Sequence, residues 1–127
     1  MEKLKVLLDT NFLLTMIRYK LHAFEEIKSK MPVKFYVLSG VMDELHYLSK
    51  DKKIAKELKL VEQVLLVNKV ELIKSTTENV DKELIQKSNE YLIATNDKEL
   101  RKKIREIGGK TIFIRKMAFV EIDGLFN

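Results

Sequence analysis

Four acidic residues in this chain each follow a predicted β-strand, near the point where the strand ends. They are Asp9, Glu44, Asp81 and Asp97. The carboxyl ends of parallel strands meet at one edge of a sheet, so we expect these four side chains to lie close together. Clustered carboxylates repel one another unless a cation lies among them, and oxygen ligands suit Mg²⁺ or Mn²⁺. The spacing therefore predicts a divalent-metal site able to act on a phosphodiester bond.

Each of these acids also has a purely structural interpretation. Asp9 could cap the helix that follows it. Asp81 and Asp97 could be first-turn acids that the helix dipole favours, and Glu44 could simply face solvent. Asp43 is the alternative to Glu44, but the apolar stripe of that helix turns Asp43 further outward. For any single acid the structural interpretation would prevail, whereas four acids on one edge favour a functional site.

Apolar runs alternate with helical periodicities along the chain, and they predict the elements that would position the acids. This alternation indicates a mainly parallel five-stranded sheet with helices on both faces, a three-layer α/β/α fold. The predicted strands lie at residues 6–8, 33–38, 70–73, 91–95 and 111–114, with 118–122 as a short edge strand or a tail. The predicted helices span residues 11–19, 22–30, 41–49, 51–67, 81–88 and 97–107.

The composition fits one globular domain without cysteine chemistry. At 127 residues and 46% hydrophobic content, the chain predicts a single domain over residues 1–127. The absence of cysteine excludes disulfides, thiol catalysis and Cys-ligated zinc, and without a signal peptide or an apolar span we expect a cytoplasmic protein. His22 and His46 have no partner at metal-ligand spacing. Any metal would therefore have oxygen ligands.

Positive charge is concentrated in residues 98–116. The whole chain has a net charge of +5, and this segment alone contributes +6, from eight basic and two acidic residues. Such a local patch suits a polyanion, in particular a nucleic acid. A solvated helix face is the alternative interpretation. We expect four residues at helical spacing, opposite the buried stripe, to hold a nucleic-acid backbone: Lys98, Arg101, Lys102 and Arg105.

Other acidic α/β schemes and the nucleotide-binding motifs fit the sequence poorly. A response regulator needs its acceptor Asp after the middle strand, where Lys74 stands. A phosphatase of the haloacid-dehalogenase type needs a second Asp at the position of Asn11. Neither G-x-x-x-x-G-K-[ST] nor G-x-G-x-x-G occurs. The sequence therefore disfavours phosphate-receiving and nucleotide-cofactor functions.

Taken in order, four segments resemble the PIN domain family. They read L-L-D-T-N-F-L-L, V-M-D-E-L-H-Y-L, V-D-K-E-L-I and Y-L-I-A-T-N-D-K-E-L-R-K-K-I, and with Gly108 before the last strand the resemblance extends over nearly the whole chain. The chain is most similar in character to the archaeal group that resembles the PIN nucleases of ribosomal RNA maturation, and to VapC-type toxins.

The resemblance implies a compact α/β/α domain that cleaves RNA with Mg²⁺ or Mn²⁺. It implies that the four acids are catalytic residues and metal ligands, with Asn11, Thr95 and Asn96 as supporting polar groups. The expected function is a metal-dependent endoribonuclease, in ribosomal RNA processing or as a VapC-like toxin. The expected partners are RNA and an antitoxin or a ribosome-assembly factor, with a homodimer as one option and no membrane association. The alternative is a PIN-fold RNA-binding assembly factor that cleaves weakly or not at all.

Overall fold

The apolar run near the amino terminus forms a central strand of a mostly parallel sheet. The computed structural model describes residues 3–124, in which six strands alternate with helices. The strands are β1 Leu4–Leu8, β2 Val33–Leu38, β3 Glu71–Ile73, β4 Leu92–Ala94, β5 Thr111–Arg115 and β6 Phe119–Asp123. The helices are α1 Thr10–Arg18, α2 Ala23–Lys30, α3 Ser39–Leu48, α4 Lys52–Val67, α5 Val80–Lys87 and α6 Lys98–Glu106. None of these helices within residues 3–124 is long and apolar enough to cross a membrane.

The strand order across the sheet is β3-β2-β1-β4-β5-β6. The first five strands in that order are parallel, and β6 is antiparallel to β5. Helices α1, α3 and α4 contact one another, while α5 contacts α6. Because the chain runs from β1 out to β3 and then returns to β4 and β5, right-handed crossovers put these two helix groups on opposite faces. The predicted three-layer α/β/α fold is confirmed.

The sheet has six strands, one more than the five predicted, because residues after the last parallel strand return as β6. Val120 of β6 is buried, and its side chain belongs to the core. Its backbone N–H donates to Glu26 Oε2 (2.9 Å), and its carbonyl accepts from Lys30 Nζ (3.2 Å). These two bonds satisfy the outward-facing backbone groups of Val120, which on an edge strand would otherwise be open to pairing with another chain.

The carboxyl ends of β1 and β4 form the edge on which the predicted site lies. Val6, Leu7 and Leu8 are fully buried, as expected for a strand covered on both faces. The chain leaves β1 toward β2 on one side, whereas β4 pairs with β1 on the other. Such a reversal of strand order opens a crevice at the carboxyl ends of the strands. The residues at this point are Asp9 and Thr95, and both are buried.

The turn between β5 and β6 contains two side-chain-bearing residues in the left-handed region. Lys116 has a φ of 54° and Met117 a φ of 52°, and Ala118 N donates to Arg115 O across the turn (3.1 Å). Three residues connect Arg115 to its partner Phe119, and the first two adopt positive φ angles, a conformation in which glycine and asparagine are favoured. A residue with a Cβ atom costs about 1 kcal/mol or more in this conformation. The turn is therefore strained by the residues that form it.

Met117→Gly should raise the free energy of unfolding by about 1 kcal/mol, because glycine adopts this φ without a steric penalty. Urea unfolding followed by circular dichroism measures the change. Lys59→Gly, at an exposed position in the middle of α4, is the matched control and should lower the free energy of unfolding by about 1 kcal/mol. A destabilised Met117→Gly would contradict the assignment of strain to this turn.

Candidate active site

Asp9 lies where β1 ends and α1 begins, and it is only 5% exposed. Its Oδ1 accepts a hydrogen bond from Thr10 N (2.8 Å), so it is the N-cap residue of α1. Its Oδ2 accepts from the Thr95 hydroxyl at the end of β4 (2.8 Å). The capping interpretation of Asp9 is therefore confirmed. The same carboxylate also joins two neighbouring strand ends at the crevice.

Glu44 reaches this crevice from α3. The hydroxyl of Thr10, next to Asp9, donates a hydrogen bond to Glu44 Oε1. Asp43, the alternative candidate, instead lines a separate polar pocket of about 500 Å³ that also contains Lys74 and Thr76. The structure thus brings Glu44 to the residues beside Asp9 and directs Asp43 elsewhere.

Asp81 and Asp97 lie at the starts of the two helices on the opposite face of the sheet. Asp97 is the N-cap of α6, and its Oδ1 accepts from Glu99 N (2.9 Å) and Leu100 N (3.2 Å). Its own N–H donates to the Thr95 hydroxyl (3.2 Å). Asp81 is exposed in the first turn of α5, where Asn79 is the N-cap residue.

The four carboxylates affect one another electrostatically. Burial is the main cause that raises the pKa of Asp9 from 3.8 to about 6, and hydrogen bonds from Thr95 and Thr10 oppose it. The negative charges of Asp81 and Glu44 raise the Asp9 pKa further. Although Asp81 is exposed, its pKa is also raised, first by partial desolvation of its carboxylate and then by the charges of Asp97 and Glu44. Each of the four predicted acids is therefore close enough to at least one of the others for their charges to interact.

The three predicted supporting residues form one hydrogen-bond network around the loop after β4. Asn11 Oδ1 accepts from Asn96 N (2.8 Å) and lies 3.2 Å from the Thr95 hydroxyl. Asn96 Oδ1 accepts from Ile114 N on β5 (2.8 Å). Because these bonds go to backbone groups of β4–α6 and β5, their immediate effect is to hold the loop that carries Asp97.

The basic face of α6 differs from the expectation for two of its four residues. Arg101 and Arg105 both form ion pairs with Asp123 of β6, at 3.7 and 3.0 Å. The Arg101 guanidinium also stacks on the Phe113 ring, 3.5 Å from its centroid, and its side chain is only 16% exposed. Their partner Asp123 lies at the end of β6, whose segment the sequence predicts either as a short edge strand or as a tail. The two lysines of the set, Lys98 and Lys102, are exposed.

Two residues at the site were missed from the sequence. Thr10 connects Asp9 to Glu44, and the D-T-N triplet gave a signal for it, since a hydroxyl there follows the first acid. Lys103 lies close enough to Asp81 for its positive charge to counteract the rise in the pKa of that carboxyl. Its direction toward α5 depends on the packing of α5 on α6, which no local pattern reveals.

The donors at this edge fit a hard divalent cation that keeps much of its water. Within residues 3–124, no group of three or more acidic or histidine side chains is close enough to hold an ion by itself. Mg²⁺ typically binds through one or two carboxylates together with waters and substrate phosphates, so a complete protein cage is not required. Asp97 uses Oδ1 for its cap, which leaves Oδ2 without a described donor. Besides this oxygen, the negative charges around Asp9 would also attract a cation.

Comparisons with known proteins agree with this architecture. The family described as a PIN like domain matches residues 6–117. Ribonuclease VapC4 of Methanocaldococcus jannaschii is 30% identical over 128 residues, which cover 95% of this chain and 98% of the relative. The solved structure of the PIN domain endonuclease Utp24 superposes with a TM-score of 0.75 at 23% identity, covering 95% of this chain and 92% of its own. A domain of a functionally unknown protein from Methanocaldococcus jannaschii DSM 2661 gives a TM-score of 0.63 at 16% identity, with coverages of 87% and 91%. These two structural likenesses show the fold.

The raised pKa of Asp9 predicts a pH dependence of stability in metal-free buffer. The folded protein holds this proton more tightly than the unfolded chain, so ionisation of Asp9 opposes folding. Its contribution to stability is complete below about pH 4 and is lost as the pH rises to about 6, which amounts to at most about 3 kcal/mol. Asp9→Asn should abolish this decrease in stability between about pH 4 and pH 6. The Thr95 hydroxyl would still have an acceptor in the variant, because Asn11 Oδ1 lies within hydrogen-bond distance.

Urea unfolding between pH 4 and 7 in chelator measures this difference. Asp51→Asn is the matched control, because Asp51 caps α4 through Lys53 N and Ile54 N and the substitution removes the same charge outside the site. If wild type and Asp9→Asn show parallel pH profiles, the Asp9 carboxylate is not the group that titrates in this range.

Proposed function

Because the chain belongs to the PIN-like domain family, we propose that it is an endoribonuclease that hydrolyses RNA phosphodiester bonds with Mg²⁺ or Mn²⁺. One observation carries this proposal. The Thr10 hydroxyl binds Glu44 directly beside Asp9, and the negative charges of Glu44 and Asp81 raise the pKa of Asp9. A structural N-cap needs no such neighbours, and like charges gathered at one edge are destabilising without a cation.

The proposed ligands of the cation are the four acids, Asp9, Glu44, Asp81 and Asp97. A bound divalent cation supplies a water of lowered pKa and neutralises charge that develops on the scissile phosphate. The chain's own polar groups orient the acids: Thr10 holds Glu44, and Thr95 holds Asp9. With a pKa of about 6, Asp9 is mostly ionised at neutral pH and able to act as a ligand.

The relatives support two biological settings for this activity. VapC4 is a ribonuclease that matches almost the entire chain, which supports a VapC-like toxin with an antitoxin as partner. Processing of ribosomal RNA with an assembly factor is the other proposed setting. The predicted homodimer and cytoplasmic location stay predictions.

Mn²⁺-dependent internal cleavage of a labelled single-stranded RNA should be lost by at least about 100-fold in Asp9→Asn and in Glu44→Gln, because each removes a proposed ligand. Asp43→Asn is the matched control. It removes a charge from the residue next to Glu44, which lines a different pocket, and should keep wild-type cleavage. Binding of RNA by a wild type that never cuts it would favour the alternative, an RNA-binding assembly factor.

The lysines of α6 should contribute to RNA affinity through counterion release. Replacing Lys98 and Lys102 with alanine should lower the slope of log affinity against log salt by about 1.4, which is about 0.7 for each phosphate contact with single-stranded RNA. Arg105→Ala should lower it less, because Asp123 already neutralises that guanidinium. Fluorescence anisotropy in chelator measures the slopes. Alanine at Lys53 and Lys59 of α4 is the control for net charge, and an equal effect there would contradict a path along α6.

A further inference from the structure

The hairpin between β5 and β6 extends beyond the sheet beside the proposed catalytic edge. Ala94, the last residue of β4, pairs with Ile112, and β5 continues to Arg115. Three further residues correspond to about 10 Å of strand. Ile114 N donates to Asn96 Oδ1, and Asp97 is the next residue after Asn96. The tip of the hairpin, defined as Arg115–Ala118, therefore stands next to the loop that carries Asp97.

The tip presents one exposed cation that is not neutralised by the hairpin itself. Arg115 Nη1 donates to both carboxylate oxygens of Glu121, at 3.0 and 2.8 Å. Lys116 is exposed, and with the residues between 3 and 124 it makes no salt bridge. Its ammonium group is thus available to a phosphate at the edge of the sheet where the acids lie.

Apolar surface lies immediately beside this cation. Met117 is 56% exposed and Phe119 is 43% exposed. Binding of single-stranded nucleic acid combines cations that contact phosphates with apolar or aromatic groups that contact bases. Lys116 to Phe119 bring both kinds of group together within four consecutive residues, at the end of β5, the strand on which α6 packs.

The conformation of the tip supplies a separate argument. Lys116 and Met117 both adopt the left-handed region, where asparagine or glycine would be easier to accommodate. Residues kept in an unfavourable conformation cluster at functional positions. The chain also has left-handed lysines at Lys20 and Lys69. Those two follow the carboxyl ends of α1 and α4, at the opposite edge of the sheet, so they have the same conformation but do not lie near the acids.

We propose that the β5–β6 hairpin tip is an RNA-binding element, in which Lys116 contacts a phosphate and Met117, with Phe119, contacts a base of the single strand being cut. This inference rests on the proposed ribonuclease function and adds the surface that receives the strand beside Asp97. It also gives a functional reason for the strained conformation of this turn.

The decisive comparison is Lys116→Asn with Lys69→Asn. Both variants remove one positive charge and relieve one left-handed lysine, and only Lys116 lies at the tip. A fluorescein-labelled, mixed-sequence single-stranded oligoribonucleotide is titrated in chelator, and its cleavage is then followed with Mn²⁺. Lys116→Asn should weaken binding about fivefold at 0.1 M salt and lower the salt slope by about 0.7. Lys69→Asn should retain the wild-type affinity and slope.

Met117→Gly provides a second measurement in which loss of affinity cannot be attributed to unfolding. This variant should unfold at a higher urea concentration than wild type and yet bind the oligoribonucleotide about threefold more weakly. Unchanged binding in Lys116→Asn and Met117→Gly, with cleavage by wild type intact, would overturn the hairpin proposal alone. A loss in Lys69→Asn equal to that in Lys116→Asn would also overturn it. A wild type that neither binds nor cuts this RNA would overturn the ribonuclease function as well.

Discussion

A carboxylate buried at the end of the central strand is the constraint on which this edge of the molecule depends. Burial of Asp9 disfavours its charged form, and two hydrogen bonds among residues 3–124, from Thr10 N and the Thr95 hydroxyl, oppose that effect. One bond begins α1, and the other ties β1 to the end of β4. The start of a helix and the pairing of two strand ends are thus organised around one charge. The donor residues of both bonds also contact other acids of the candidate site, since the Thr10 hydroxyl binds Glu44 and the Thr95 hydroxyl accepts from Asp97 N.

The same hydrogen-bond network extends from Asp9 across β4 to β5. Thr95 also accepts from Asp97 N and approaches Asn11, and Asn11 holds Asn96, whose side chain binds Ile114. The carboxyl ends of β1, β4 and β5 are therefore linked by side chains rather than by strand pairing alone. This linkage gives the loop before α6 and the hairpin after β5 a fixed relation, although they are far apart along the chain.

Local patterns in the sequence predict the strands, the helices and the helix caps, because interactions between residues close together in the chain determine them. Buried runs and helical periodicities gave the parallel strands and the helices to within about two residues, and the caps at Asp51 and Asp97 lie at the predicted helix starts. The topology placed the four acids on one edge, but their mutual distances depend on packing between elements. The pairing of Arg101 and Arg105 with Asp123 could not be predicted, because it requires β6 to return beside β5. The direction of Lys103 depends in the same way on the contact between α5 and α6.

The sequence allows each of these acids to be either a helix cap or a metal ligand, and in this geometry one residue could have both roles. A carboxylate has two oxygens, and Asp97 caps α6 with Oδ1 alone. The cap fixes the direction of the side chain, so the second oxygen is held in place without further contacts. If Asp97 is a ligand of the proposed cation, capping would preorganise its carboxylate instead of competing with the metal. Mutual repulsion at the edge acts in the opposite sense to the caps, since it disfavours the folded, metal-free protein. A cation that binds only the folded chain would relieve that repulsion, and its affinity would then appear directly as stability.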